Sequence, residues 1–286
     1  MRKFHENFHW YILLLLALAT IMVWYAVFAE DRTGKLTVAF LDIGQGDAIF
    51  IESPTGTQMM VDGGPGASVL RELSHVMPFY DRSIDLLLIS NPDTDHMSGF
   101  LDILRRFDVH AIVEPGTVGA SSDYRTFLEE VKNEGAYHVI ARRGQRLELG
   151  GGAYFEVLFP DRDVSGLETN QGSIIGKLVY GNTSFLFPGD APSAVEEYVA
   201  YLDKERLDVD VLKVGHHGSK TSTSDALLGF ASPTMAIISA GKENRYGHPH
   251  QEVLDRLKQF GVQTMGTYEQ GGVIVESDGE TVKVKK

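Results

Sequence analysis

The chain opens with an unbroken apolar run, FHWYILLLLALATIMVWYAVFA from Phe8 to Ala29, and only after Lys35 settles into short periodic segments. As a helix that run is long enough to cross a hydrocarbon core of roughly 30 Å, with Trp10, Tyr11, Trp24 and Tyr25 near the two interfaces. It predicts a single transmembrane helix. Arg2 and Lys3 precede it, so the positive-inside tendency puts the N-terminus in the cytoplasm and everything after Glu30 outside the cell membrane. A cleaved signal peptide is the alternative, with Val27-Phe28-Ala29 as the cleavage site, but the run exceeds the usual apolar region of ~7–15 residues. A buried core helix would carry polar residues along one side.

Beyond a polar linker over 30–35, the periodicity reads as one globular domain over 36–286. Residues 36–42, 48–53 and 58–62 alternate as three short strands, divided by Gly44, Gly46, Pro54 and Gly56, and two of those links look like hairpins. The pattern then changes to a helix over 69–76, a continuous apolar strand over 84–90 and an amphipathic helix over 99–107. Further candidates follow at 111–113, 124–132 and 138–140, then a glycine-punctuated hairpin region over 147–159. Strands over 174–180 and 183–187 pair across Gly181-Asn182, a strong two-residue hairpin signal. A helix over 194–202, a strand over 209–214, a helix over 225–230, a strand over 235–239, a helix over 251–260 and closing strands over 262–267 and 272–276 complete the series. Hairpins mixed with helix-separated strands predict two sheets covered by helices, an α/β sandwich.

Composition narrows the chemistry. With 286 residues, 43% of them hydrophobic, the chain can bury a full core. It has no cysteine, which excludes disulfides, thiolate nucleophiles and cysteine-held zinc, so any metal must be held by His, Asp, Asn or backbone oxygen. The formal charge of -13 argues against a surface that binds nucleic acid everywhere. A nucleic-acid substrate would have to be gripped locally, by a metal and a few cations.

The apolar strand over 84–90 runs into Asn91-Pro92-Asp93-Thr94-Asp95-His96; a second apolar strand runs into Gly189-Asp190, and a third into His216-His217-Gly218-Ser219. Carboxylates and imidazoles in short loops at strand ends are what a divalent metal needs as ligands. Each has a bland alternative, since Asp95 and Asp190 are also fit to cap the helices that follow them. Their conjunction with a double histidine at a third strand end favours a metal site.

The order of these motifs carries a resemblance. Phe40-Leu41-Asp42-Ile43-Gly44-Gln45-Gly46-Asp47-Ala48, then Asp62-Gly63-Gly64, the 91–99 loop, Gly189-Asp190, His216-His217-Gly218-Ser219 and Tyr246-Gly247-His248-Pro249 together look like the metallo-β-lactamase-fold domain of the ComEC-type DNA-internalisation proteins of competence. The match runs from residue 36 to the end, without the multi-helix channel portion of those proteins. The resemblance implies an αββα sandwich, a hydrolytic metal centre and phosphodiester cleavage of DNA. Carried over residue by residue, it implies metal ligands at Asn91, Asp93, Asp95, His96, Asp190 and His216 or His217. Asn91 departs from the pattern, because the fold's usual first ligand is an imidazole and an amide oxygen is a weaker donor. The fold's middle histidine is also missing, its region reading Asn170-Gln171-Gly172-Ser173. One tightly held ion, zinc or manganese, is therefore expected, with a second bound weakly.

Roles follow from that inventory. Asp93, Asp95 and His248 are the candidate catalytic groups, Asp93 either as a ligand or as the base that takes a proton from water. Metal assistance leaves no need for a protein nucleophile. Ser219, Lys220 and His248 suit substrate phosphate oxygens, unless His248 merely caps the helix after Pro249. Asp42, Gln45, Asp47 and Asp62 read as hydrogen-bonded supports of the site. His75, His110 and His138 read as ordinary histidines, and Arg142, Arg143 and Arg146 as a solvated turn or a contact for an acidic polymer. A phosphocholine esterase, an amidase and a non-catalytic metal-binding module remain the alternatives to a membrane-anchored phosphodiesterase or nuclease.

Overall fold

A computed structural model of the chain describes residues 8–29 and 34–285; Arg2, Lys3 and most of the 30–35 linker lie outside them. The described residues fall into two compact units, one holding the N-terminal helix and one beginning at Gly34. Helix α1 (Phe8–Ala29) covers the apolar run and is long and apolar enough to cross a membrane by length and composition.

The second unit begins with β1 (Leu36–Phe40), β2 (Ala48–Glu52) and β3 (Gln58–Gly63), an antiparallel meander, as the turn residues predict. Helix α2 (Ser68–Val76), β4 (Ser83–Leu88), α3 (Thr94–Leu104), β5 (Asp108–Glu114), α4 (Ser122–Glu134) and β6 (Tyr137–Ile140) extend that sheet with parallel strands. The second sheet starts from β7 (Arg146–Gly150), β8 (Ala153–Phe159), β9 (Ile175–Tyr180) and β10 (Thr183–Phe187). It continues through α5 (Ser193–Asp203), β11 (Val211–Lys213), α6 (Asp225–Ala231), β12 (Met235–Ile238), α7 (Gln251–Gln259) and β13 (Gln263–Gly266). A single turn of helix, α8 (Thr267–Gln270), leads to β14 (Val273–Ser277) and β15 (Val282–Lys285), which return to the first sheet beside β1. The sheets thus run β15-β14-β1-β2-β3-β4-β5-β6 and β13-β12-β11-β10-β9-β8-β7.

Strand alternation builds the layers. In β1, Val38 and Phe40 face a core shared by both sheets, where Phe187 stacks between Phe40 and Phe155 at centroid distances of 6.3 and 5.9 Å. Ala39, on the other face, joins Phe50, Phe100 and Phe127 beneath α2, α3 and α4. On the far side Leu186 and Leu212 pack with Val199, Leu228 and Leu257 of α5, α6 and α7. The four layers are the αββα sandwich that the sequence predicts.

Several elements differ from expectation. Helix α3 starts at Thr94 rather than 99, so Asp95 and His96 lie in its first turn; apolar periodicity begins only at Met97 and hides a first turn made of polar groups. The expected strand over 209–214 shortens to β11, flanked by turns. Strand β15, unforeseen, is a short edge strand whose alternate lysines blunt the sheet margin. Helix α3 also lies close enough on β3 that a Cβ on Gly99 would stand 1.9 Å from the Gly63 carbonyl oxygen.

Candidate metal centre

Parallel strands point their C-terminal ends at one margin of the sandwich, and the loops that leave β4, β10, β11 and β12 there carry the polar motifs. Asp93 is the residue before α3, Asp190 follows the turn after β10, His216 and His217 sit in a tight turn after β11, and His248 lies in the β12–α7 loop. The β1–β2 loop brings Gln45 and Asp47 across from the first sheet, and Asp62 is the penultimate residue of β3. That loop can lie on α3 because Gly46 has no side chain: a Cβ there would be 2.2 Å from the Asp95 carbonyl oxygen, which the Asp47 amide meets at 3.2 Å.

His96 and His217, both fully buried, stand with ring centroids 5.2 Å apart. His96 Nε2 lies 3.1 Å from Asp190 Oδ2, and His217 Nε2 lies 3.8 Å from Asp190 Oδ1 and 3.6 Å from Asp95 Oδ2. Ligand atoms of Asp47, His96, Asp190 and His217 all fall within 4.8 Å of one another. Yet His96 Nε2, His217 Nε2 and Asp190 Oδ1 are buried without an aligned hydrogen bond. Buried polar atoms are ordinarily paired, so three that converge on one point fit a cation held between them. Of the two further carboxylates, Asp47 is already committed: Lys213 Nζ contacts its oxygens at 2.8 and 2.9 Å, and His217 Nδ1 lies 3.2 Å from Oδ1. Asp95 keeps its carboxylate toward the centre, so it completes the better ligand set.

Outer partners fix the imidazoles. Asp62 Oδ2 lies 2.9 Å from His96 Nδ1, and Ser90 donates to Asp62 from its amide and its hydroxyl. Asp47 and the Ser239 carbonyl face His217 Nδ1. Each ring is thereby turned with Nε2 inward, the usual arrangement around a metal-ligating histidine. Backbone strain accompanies this: His216 and His217 adopt left-handed φ/ψ of 47/46 and 56/20, and Asp62 has φ 61. Such conformations cost of order 1–3 kcal/mol each and persist where the surroundings impose them.

The electrostatics demand positive charge at the centre. Burial alone would push the Asp190 carboxyl up, but His96 and His217 hold it below the usual carboxylate range. Burial likewise opposes a charge on His96, yet Asp190 and Asp62 raise its proton affinity well above normal, and Asp47 and Asp190 raise His217 to about 9 against the same opposition. His248, half-buried and facing His217, His216 and His250, is pushed down to about 4. Burial raises Asp93, against the hydrogen bond from Thr169.

A cavity of about 150 Å³ opens over the centre, lined by Gln45, Asp93, Asp95, Asn170, Asp190, His216, His217, Tyr246 and His248. The structure thus brings together all the expected ligands except Asn91. That residue is wholly buried; its Nδ2 donates to Asn170 Oδ1 at 2.5 Å and its Oδ1 accepts from the Asp93 amide at 3.0 Å. His216 is a neighbour of the centre, its Nε2 3.4 Å from Asp190 Oδ2. Ser219 and Lys220 do not line the cavity: the Ser219 hydroxyl faces Thr221 at 2.9 Å, and Lys220 is exposed. His248 does not cap α7, whose preceding residue is His250. Asp42 accepts from the nearby Gly44 amide at 3.4 Å and does not line the cavity. Arg142 donates to the Pro115 and Ala141 carbonyls, Arg143 pairs with Asp203 and Arg146 stacks on Tyr154, so the basic turn is structurally engaged. His138 meets Glu114 at 2.8 Å and His110 meets Asp85 at 3.1 Å. Sequence reasoning missed Lys213, although a lysine inside an otherwise apolar strand was a signal of a buried counter-charge.

The sequence profile of the metallo-beta-lactamase superfamily matches residues 41–242. Over 254 residues the chain is 32% identical to ComE operon protein 3 of Bacillus subtilis, across 82% of this chain and 32% of that protein. It is 30% identical over 247 residues to Recombination protein 2 of Haemophilus influenzae, covering 84% and 29%. With Competence protein ComA of Neisseria gonorrhoeae it shares 28% identity, covering 82% and 31%. The chain therefore spans about a third of the length of the curated relatives it matches. Among solved structures, CmlA, a diiron beta-hydroxylase from Streptomyces venezuelae, superposes with a TM-score of 0.52 at 16% identity, over 80% of this chain and 52% of that one. A diphosphatase of the PhnP family superposes with 0.50 at 14% identity, over 85% and 97%. At such identities the likeness is one of fold, and a hydroxylase on this fold cautions against reading a reaction from architecture alone.

Proposed function

We propose that this chain, which belongs to the metallo-β-lactamase superfamily, is a membrane-anchored, metal-dependent phosphodiesterase that cleaves DNA. The observation that carries the reading is the convergence of the unpartnered His96 Nε2, His217 Nε2 and Asp190 Oδ1 atoms under an open polar cavity. With Asp95 they form a mixed nitrogen and carboxylate set suited to zinc or manganese. A divalent cation held there supplies Lewis acidity to a phosphoryl oxygen and acidifies water. Asp93 Oδ2 accepts from Thr169 at 3.0 Å, which leaves its other oxygen for a proton taken from water at the cavity wall. His248, uncharged at neutral pH, is suited to a hydrogen bond with the substrate phosphate.

A second ion would be held weakly, because Asn91 and Asn170 bond to each other and Asp93 to Thr169. DNA as substrate is supported by the competence and recombination names of the relatives. Anchoring in the cell membrane is supported by the apolar length of α1, and an extracytoplasmic catalytic unit by Arg2 and Lys3 ahead of it in the sequence. The test is hydrolysis by the purified protein, with zinc or manganese, of single-stranded DNA, bis-p-nitrophenyl phosphate, a phosphocholine ester and a β-lactam. Turnover of both phosphodiesters is expected; turnover only of the choline ester or the lactam would overturn the reading.

A further inference from the structure

A larger cavity of about 510 Å³ adjoins the metal centre and shares Gln45, Asp95 and Tyr246 with it. Its outer wall is the β12–α7 loop, and the loop's planar side chains form a ladder leading away from the centre. His248 faces His217 at a ring-centroid distance of 6.4 Å, and Tyr246 stacks on His248 at 5.6 Å with the planes 22° apart. Arg245 lies over the Tyr246 ring at 4.9 Å, and its Nη2 meets the Tyr246 hydroxyl at 2.7 Å. Tyr246 nevertheless stays 48% exposed, the opposite of what a core tyrosine does.

Asn244 holds this ladder in place. Its side-chain nitrogen donates to the carbonyls of Gly241 and His248 at 2.8 and 2.6 Å, and its oxygen accepts from the amides of Tyr246 and His248 at 3.1 and 2.9 Å. One side chain thus closes the loop on itself, so the exposed ring is preorganised. Preorganisation lowers the ordering cost of binding.

We propose that the exposed Arg245-Tyr246 pair is a nucleobase subsite, in which a base of single-stranded DNA packs against the guanidinium and the ring edge it leaves open while the adjoining phosphodiester lies at the metal centre. This deepens the phosphodiesterase reading and rests on it. Stacking on an aromatic face with a guanidinium alongside is how single strands are held without sequence preference, and it answers the problem set by a net charge of -13: the grip is local. The same chemistry disfavours a choline headgroup, because Arg245 already stands over the ring as a cation and would meet a quaternary ammonium as a like charge. Glu243, on the wall of the same cavity, faces solvent and disfavours a phosphate there, which leaves the phosphate to the metal end.

The test compares an ordinary oligothymidylate with an abasic oligonucleotide of the same length, which keeps the phosphates and lacks the bases. Binding by fluorescence anisotropy and cleavage are both read, for the whole protein and for Tyr246→Ala and Tyr246→Trp. The intact protein should prefer the base-bearing strand by ~10-fold, Tyr246→Ala should lose the preference, and Tyr246→Trp should keep it. Equal handling of the two strands by the intact protein, or a preference that survives in Tyr246→Ala, overturns the subsite. A base-dependent binding that Tyr246→Ala abolishes, with no cleavage of either strand, supports the subsite and overturns the phosphodiesterase reading instead.

Discussion

Lys213 shows how much of the centre depends on a residue that never touches its cavity. It is 1% exposed, and its ammonium is the counter-charge of Asp47, which in turn faces His217 Nδ1. Removing one member of a buried ion pair strands the other, at a cost of roughly 3–5 kcal/mol. Lys213→Met should therefore lose about that much stability in urea denaturation, and Asp47→Asn added to it should recover a large part; a variant as stable as the parent would show that the pair holds nothing. Asn91 makes the opposite case. Its position in the motif suggests a depleted metal subsite, but both ends of its amide are used, by Asn170 of another loop and by the Asp93 backbone. Asn91→His should lose about 1–3 kcal/mol, the usual cost of leaving buried partners unsatisfied, and gain no metal. Calorimetric titration with zinc checks this, and a second, tighter ion in the variant would return Asn91 to the ligand set.

Among the elements, a buried carboxylate helps tie α5 to the loop before α6. Glu196 accepts from the amides of Thr223 and Ser224 at 2.8 and 2.7 Å, and burial pushes its carboxyl from 4.5 up to about 7. A pKa raised on folding favours the protonated form in the folded state. Its stabilisation is therefore complete below pH 4.5 and is lost as pH rises through 7, a span worth about 3 kcal/mol. Stability measured from pH 4.5 to 7.5 should fall accordingly, and Glu196→Gln should flatten that fall; an unchanged slope would assign it elsewhere. Elements of this kind were largely legible in the sequence, because hairpins announce themselves through Gly181-Asn182 and core strands through alternation, as in Val38 and Phe40 against Ala39. The first turn of α3 was not, since Asp95 and His96 serve the site and carry no helical period. Residue types at the centre were legible too, but not their aim: that His217 rather than His216 faces His96 depends on two left-handed residues no pattern reveals. For α1 the expectation is a topology. Protease added to intact spheroplasts should digest the domain after it, and full protection would reverse the orientation.

At the scale of the molecule, two sheets meet so that loops from both supply one centre: Asp47 and Asp95 from the first, Asp190 and His217 from the second. A cation bound there links the two halves of the sandwich, so occupancy should stabilise the fold, by about 2.7 kcal/mol at a hundredfold excess over Kd. The fold itself hosts unrelated reactions, and the claim that this chain is a metallohydrolase stands on the centre alone. Asp190 is its most decisive member, since its carboxylate faces the inner Nε2 atoms of both buried imidazoles. The most direct test is metal content and single-stranded DNA hydrolysis of Asp190→Ala beside the parent protein, with circular dichroism as the check on folding. The parent should carry about one ion per chain, and the folded variant should carry almost none and lose activity by ~100-fold or more. A folded Asp190→Ala that keeps its metal, or hydrolyses DNA at near the parent rate, would contradict the metallohydrolase reading.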